Sequence, residues 1–228
     1  AMIRTKTELA NFQFSSILAN DFVIKPNKWS KWKGILIVKR ESNGYFRIWW
    51  EIIDENSLRR RMYDILDGAF SINGSSDTIL IEEKLIPSER FQSFCEYGLA
   101  DIRIIVFNLV PVTSMIRVPT EISWGKANLA QWGIWMGVDI VTGTITSMYQ
   151  NRKNYTKHFP EPYTSLMEKE IPYWEEILLY SSKIQFFVNL WYLALDWVIT
   201  DKWPRLLEIN ARAGLEVQKA SLIPVKTR

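Results

Sequence analysis

One stretch constrains this chain more than any other: Leu206-Leu207-Glu208-Ile209-Asn210-Ala211-Arg212-Ala213-Gly214-Leu215. An apolar strand ends there in Glu208 and Asn210, and Gly214 then breaks the pattern. Strand side chains alternate sides with a period of two, so both oxygen-bearing groups project from one face. Upstream, Asp196 interrupts a second apolar run over residues 192–199. The segment between, Thr200-Asp201-Lys202-Trp203-Pro204, has turn composition. Two such runs over a short turn predict a hairpin, which brings Asp196 beside Glu208 and Asn210. Two carboxylates and an amide oxygen are hard ligands suited to Mg²⁺, which is usually held by one or two carboxylates plus substrate phosphates. A carboxylate in an apolar strand is also often a paired structural group, and the residues alone leave both readings open.

A second charged pair lies in the middle of the chain. Residues 102–107 and 112–118 read as antiparallel strands over a turn at 108–111, and each carries an arginine among apolar neighbours, Arg103 and Arg117. Each arginine has a structural partner, or the two share one anion.

The remaining pattern is α+β. Residues 3–20 read as a helix with Leu9 and Phe12 on its apolar stripe. A β-branched strand follows at 21–26, then a basic loop at 27–34, a strand at 35–38 and a hairpin turn at Asn43-Gly44, with the return strand at 45–50. Asp54 to Asn56 can cap a helix running to Leu66, and 78–83 is a further strand. Later come strands at 134–141 and 145–150, and a polar loop at 151–165 that holds a solvated His158. Pro172 is suited to the first turn of a helix reaching Leu190, whose apolar face carries Trp174, Ile177, Leu178, Ile184, Phe187, Val188 and Leu190. A last helix is expected over 215–222.

Composition excludes some classes. The net charge of +3 is too small to argue for nucleic acid. No apolar run reaches the ~18 residues of a membrane span. Residues 1–4 open no apolar segment of a signal peptide. The single Cys95 rules out an internal disulfide and reads as a buried small hydrophobe, which suits the cytoplasm.

Taken in order, these residues resemble the ATP-grasp superfamily. The landmarks are Phe22-Val23-Ile24-Lys25-Pro26, a loop ending in Gly34-Ile35, Ile81-Glu82-Glu83, Asp101-Ile102-Arg103, then Asp196 and Glu208-Ile209-Asn210. More narrowly, Met115-Ile116-Arg117-Val118-Pro119-Thr120, Gly125-Lys126-Ala127-Asn128-Leu129 and the stretch around Glu208 are similar to the RimK-related alpha-L-glutamate ligase-like group. The chain also resembles the sugar-transfer-associated branch of the superfamily. The resemblance implies an ATP-grasp fold: an N-terminal helix and linker at 1–20, a smaller lobe with a phosphate flap at 21–84, and a larger lobe with a metal site at 85–228, with ATP gripped between the lobes.

The resemblance also implies roles. Lys25 would contact nucleotide phosphates, and residues 27–34, with Lys33 and Gly34, would form the flap above them. Glu82, Glu83, Lys84 and Leu85 would form the hinge that reads adenine. Arg103 and Arg117 would face the transferred phosphate or an acyl phosphate. Asp196, Glu208 and Asn210 would hold Mg²⁺, and Asn128 and Arg212 would lie near the reacting carboxylate. The implied reaction is ATP- and Mg²⁺-dependent joining of a small-molecule or peptide carboxylate to an amine through an acyl phosphate. The alternative is a degenerate nucleotide-binding module without catalysis. The oligomeric state is left open, a homo-oligomer included.

Three departures stand out. The family's N-terminal portion is not in this sequence. Ala213 stands where the group has Pro. Tryptophan is abundant, with 11 Trp against 10 Gly, although average usage predicts roughly 16 Gly. Trp29, Trp32, Trp49, Trp50, Trp124, Trp132, Trp135, Trp191 and Trp203 stand where the family pattern or turn chemistry wants glycine. Only Trp174 and Trp197 read as native. The expectation is that the source reads UGA as glycine, and that tryptophan in the flap would weaken ATP binding.

Overall fold

The computed structural model describes residues 1–28, 33–48, 50–71, 74–122, 133–214 and 217–222, and the chain divides into two units, Ala1–Leu85 and Ile86–Arg228.

In the first unit, β1 (Met2–Ile3), β2 (Asp21–Pro26), β3 (Leu36–Arg40), β4 (Phe46–Ile48), β5 (Glu51–Ile53) and β6 (Ile79–Glu83) form an antiparallel sheet. Their order is β1-β6-β2-β3-β4-β5. Burial alternates along β2, which sends Phe22 and Ile24 into the core and leaves Asp21, Val23 and Lys25 on the opposite face. Among the described residues, the helices α1 (Lys6–Asn11) and α2 (Glu55–Leu66) belong to this unit. The Asp54 side chain caps α2 by accepting from the Ser57 amide at 2.7 Å. Leu58, Met62, Ile65 and Leu66 recur at helical spacing and join Phe22, Ile24, Val38 and Ile81 in one core.

In the second unit, β7 (Asp101–Phe107), β8 (Val110–Val118), β9 (Ile134–Val138), β10 (Ile145–Gln150), β11 (Lys153–Tyr155), β12 (Tyr192–Ile199) and β13 (Pro204–Asn210) form a seven-stranded sheet. Every pairing is antiparallel, in the order β11-β10-β9-β8-β7-β12-β13. One face buries Ile102, Ile104, Ile116, Met136, Leu193 and Leu195 beneath α3 (Trp174–Val188). The other face carries Ile105, Met115, Trp135 and Ala194, with α4 (Val217–Ser221) packed on them. Gly137 lets α4 approach: a Cβ there would stand 2.4 Å from the Ala220 carbonyl oxygen.

Several sequence expectations shift. Residues 3–20 are not one helix. Ile3 pairs with Ile79 in the sheet, α1 stops at Asn11, and a single 3-10 turn follows at Phe14–Ser16. Pro172 is not in the first turn of α3, because Tyr173 takes a left-handed conformation (φ 59°) as the cap and the helix begins at Trp174. The buried stripe of α3 is Trp174, Ile177, Ser181 and Gln185, while Phe187 is 82% exposed. Two polar residues occupy that stripe because the sheet offers them partners. Ser181 accepts from Trp197 Nε1 at 3.0 Å, and Gln185 donates to the Val106 carbonyl at 3.2 Å. The polar loop at 151–165 includes a strand, β11, and the last helix spans Val217–Ser221 only. Cys95 is buried, and burial pushes its thiol up to about 11. Among the described residues, no helix is long and apolar enough to cross a membrane.

Candidate functional site

The hairpin of β12 and β13 forms, with Asp196 directly opposite Glu208 and Ala194 opposite Asn210. On its other side β12 pairs with β7, which sets Asp196 opposite Arg103. β8 continues the lattice, with Asp101 opposite Arg117 and Arg103 opposite Met115. Period-two alternation then puts Asp101, Arg103, Arg117, Asp196, Glu208 and Asn210 on one face of the sheet, the face that carries α4 farther along. Apolar residues at the intervening positions hold the strands down from the other side.

The charged groups form one bonded network. Arg103 donates from Nε to Asp196 Oδ1 at 2.7 Å and from Nη2 to Oδ2 at 2.6 Å. Arg117 donates from Nε and Nη2 to the two carboxylate oxygens of Asp101, both at 2.6 Å. The same Nη2 also reaches Asp196 Oδ2 at 2.7 Å. Asn210 donates from Nδ2 to Asp196 Oδ2 at 3.1 Å. Asp101, Arg117 and Asp196 are buried. Charges taken out of water cost several kcal/mol each unless paired in good geometry, and the two forked pairs supply that geometry.

The electrostatics follow from this arrangement. Burial alone would raise the Asp196 carboxyl, but Arg117 and Arg103 outweigh it and hold it below the usual aspartate range. Burial pushes Asp101 up, against the pull of Arg117. Burial would lower the Arg117 guanidinium, yet Asp101 and Asp196 raise it further still. Two arginines balance two aspartates, so Glu208 is the excess negative charge. Burial, and then its neighbour Asp196, raise the Glu208 carboxyl above its ordinary value, against the pull of Arg103 and Arg117. A carboxylate in that condition is suited to taking a cation.

Each of the two arginines singled out in the sequence has a structural partner in the sheet, Arg103 in Asp196 and Arg117 in Asp101 and Asp196. Among the described residues, no group of three or more His, Cys, Asp or Glu side chains gathers as a metal site. The oxygen set is two carboxylates and one amide. It matches Mg²⁺ in chemistry, with Glu208 and the Asn210 carbonyl as the less engaged donors and Asp196 already bound by both arginines.

The other expected residues are distributed as follows. Lys25 pairs with Glu82 across β2 and β6, Nζ to Oε2 at 2.7 Å. Glu82 and Glu83 lie in β6 itself. Lys84 follows that strand, its amide donating to the Asp21 carbonyl at 3.3 Å, and Leu85 is the last residue of the first unit. Lys33 is exposed. Gly34 has φ +79°, and a Cβ there would meet the Phe70 ring at 2.6 Å, so only glycine suits that end of the loop. Arg212 is exposed in the turn after β13. Asn128 lies outside the described residues, as do Trp29, Trp32, Trp49, Trp124 and Trp132.

Two residues went unassigned in the sequence. Asp101 was a landmark only, although its position two before Arg103 puts both on one strand face. Tyr192 donates its hydroxyl to the Ala213 carbonyl at 2.8 Å and ties the turn carrying Arg212 to β12.

A family model described as sugar-transfer associated ATP-grasp matches residues 1–227. Comparison with curated proteins gives no match. Among solved structures, the ATP-grasp ligase PsnB complexed with minimal precursor is 12% identical, covering 99% of this chain and 50% of that one at a TM-score of 0.45. D-alanine–D-alanine ligase from Bacillus anthracis is 15% identical, covering 94% and 51% at a TM-score of 0.47. Macrocyclase MdnC bound with precursor peptide MdnA from Microcystis aeruginosa MRC is 13% identical, covering 99% and 50% at a TM-score of 0.42. The chain thus spans about half the length of the solved structures it matches.

Proposed function

The chain belongs to the sugar-transfer associated ATP-grasp family, with the two α+β units of that fold, and on that premise we propose that the whole protein is an ATP- and Mg²⁺-dependent carboxylate–amine ligase. The observation that carries the reading is the facing pair Asp196 and Glu208, with Asn210 on the same face and two arginines alongside. A cation held by Glu208, Asn210 and Asp196 would supply charge neutralisation to nucleotide phosphates. Arg103 and Arg117, anchored by the aspartates, keep positive charge beside the same place. In the first unit, Lys25 is the phosphate-contacting lysine, and Glu82 to Leu85 form the adenine-reading hinge. Arg212, and Asn128 with it, serve the reacting carboxylate.

The reaction proposed is transfer of the ATP γ-phosphoryl group to a substrate carboxylate, releasing ADP. An amine then attacks the acyl carbon, an amide bond forms, and phosphate leaves with the C–O bond pair. Positioning and electrostatic stabilisation dominate such chemistry. Glutamate-ligase-like substrates, small acids or peptides, are the finer form of this proposal.

A second reading is a nucleotide-binding module without catalysis. It is favoured by one observation: the Asp196 oxygens are already engaged by two arginines and Asn210. The nine tryptophans bear on both readings. Trp50 and Trp191 stand 76% and 69% exposed, large apolar groups in water where glycine would cost no apolar hydration. We include in the proposal that the exposed positions among the nine are glycine in the native protein; Trp135, 4% exposed, is built into the core of the second unit.

The test is calorimetry of ATP binding with and without Mg²⁺, on this chain and on one in which all of the nine but Trp135 are replaced by glycine. A Mg²⁺-dependent ADP-release assay across carboxylate and amine pairs follows. Mg²⁺-enhanced binding with substrate-stimulated ADP release supports the ligase. Binding without turnover on any pair favours the module. Equal tight binding by both chains removes the glycine proposal.

A further inference from the structure

One residue of the network, Asp101, lies outside the oxygen set and anchors Arg117. It is 1% exposed and is linked to Asp196 through Arg117. Both of its carboxylate oxygens accept from Arg117, at 2.6 Å each. A guanidinium presents its donors in a rigid planar fork. Gripping Nε and Nη2 together therefore sets the plane of Arg117. Nη2 has a second task, since it also donates to Asp196 Oδ2 at 2.7 Å. The same oxygen takes Arg103 Nη2 at 2.6 Å and Asn210 Nδ2 at 3.1 Å. Without Asp101, Arg117 could turn to give Asp196 a two-point pair of its own, and the Asp196 carboxylate would rotate away from Asn210 and Glu208.

We propose that Asp101 is a positioning residue that sets the orientation of the Asp196 carboxylate through Arg117, and so tunes the oxygen set formed with Glu208 and Asn210. The inference deepens the functional reading and rests on it where it concerns Mg²⁺. A purely structural ion pair would need only one bidentate contact. The shared Nη2 is what makes the orientation of one aspartate depend on the other. Outer partners of metal ligands commonly change metal affinity by about 10- to 100-fold.

The experiment compares the wild-type chain with Asp101→Asn by two readouts. The first needs no metal or nucleotide: the ¹⁵N–¹H signal of Arg103 Nε, which bonds Asp196 Oδ1. Because Asp101 and Arg103 also attract each other through space, Asp101→Glu, which keeps that charge, is read alongside. The second is the Mg²⁺ dependence of binding of a non-hydrolysable ATP analogue, by calorimetry. The expected result is a displaced Arg103 Nε signal and a Mg²⁺ affinity weakened by about tenfold. An unmoved Arg103 signal in a folded variant overturns the relay, whatever the calorimetry reports. A displaced signal in a protein whose wild type shows no Mg²⁺ dependence supports the relay and overturns the functional reading. If Asp101→Asn does not fold, Asp101→Glu, which keeps the charge and shifts it by one methylene, carries the test alone with the same outcomes.

Discussion

Arg103 and Asp196 face each other on adjacent strands, β7 and β12, and are joined twice, from Nε to Oδ1 at 2.7 Å and from Nη2 to Oδ2 at 2.6 Å. Sequence separation between them is long, so this pair stitches the second unit together late in the chain. It also fills with charge a strand position whose flanking residues, Leu195 and Trp197, are buried in the core.

Replacing Asp196 by Asn leaves the half-buried Arg103 without its forked counter-charge and the buried Arg117 with Asp101 alone. The expected loss is about 3–5 kcal/mol from the second unit. It is measured by hydrogen exchange of β7 and β12 amides, because a chain of two units does not guarantee a single unfolding transition. The pH sign follows from the lowered Asp196 carboxyl. Its stabilisation is full above the ordinary aspartate range and is lost as pH falls through the depressed value. Exchange protection in wild type should drop in that acid window, and the Asn variant should lack that step.

Glu208 behaves in the opposite sense. Its carboxyl is raised by burial and by Asp196. Its folded form therefore binds a proton more tightly than its unfolded form. The contribution to stability falls as pH rises from the ordinary glutamate range through the raised value, and it is at its minimum at neutral pH. Glu208→Gln in metal-free buffer at neutral pH should stabilise the second unit, on the order of 1 kcal/mol. A marked loss of thermal stability in that variant would show that Glu208 has a partner the network does not supply.

Trp197→Phe removes the indole's second ring together with its donor, so a cavity cost adds to the lost bond. Ser181 would lose the bond from Trp197 Nε1, 3.0 Å long and buried between α3 and the sheet. A buried hydroxyl left without its partner costs about 1–3 kcal/mol. Adding Ser181→Ala should recover part of that loss. Additive losses in the double variant would count against the bond.

Gly137→Ala tests the docking of α4. The new methyl would stand 2.4 Å from both the Ala220 carbonyl oxygen and Ser147 Oγ, so the helix must lift from the sheet. Overpacking of this kind costs about 1–3 kcal/mol. Faster hydrogen exchange confined to α4 is the expected sign, and unchanged protection there would refute the close approach.

Much of this protein was legible in order along the chain. The α2 cap at Asp54, the β12–β13 hairpin and the β7–β8 pair are local features, and local rules of capping and alternation found them. The alternation also put Glu208 and Asn210 on one face, because a period of two needs no knowledge of neighbours. What went wrong in the sequence reading was decided by partners far away. Ile3 left its expected helix to pair with Ile79, and α3 turned Ser181 and Gln185 inward because Trp197 and the β7 backbone offer them bonds. The sequence by itself determined which residues carry charge on the strands, and that they would share a face. Only the tertiary structure decided whom they bond. Asp101, Arg117, Asp196 and Arg103 come from three strands whose sheet order is not their chain order, and a guanidinium selects its carboxylates by geometry in space rather than by distance along the chain.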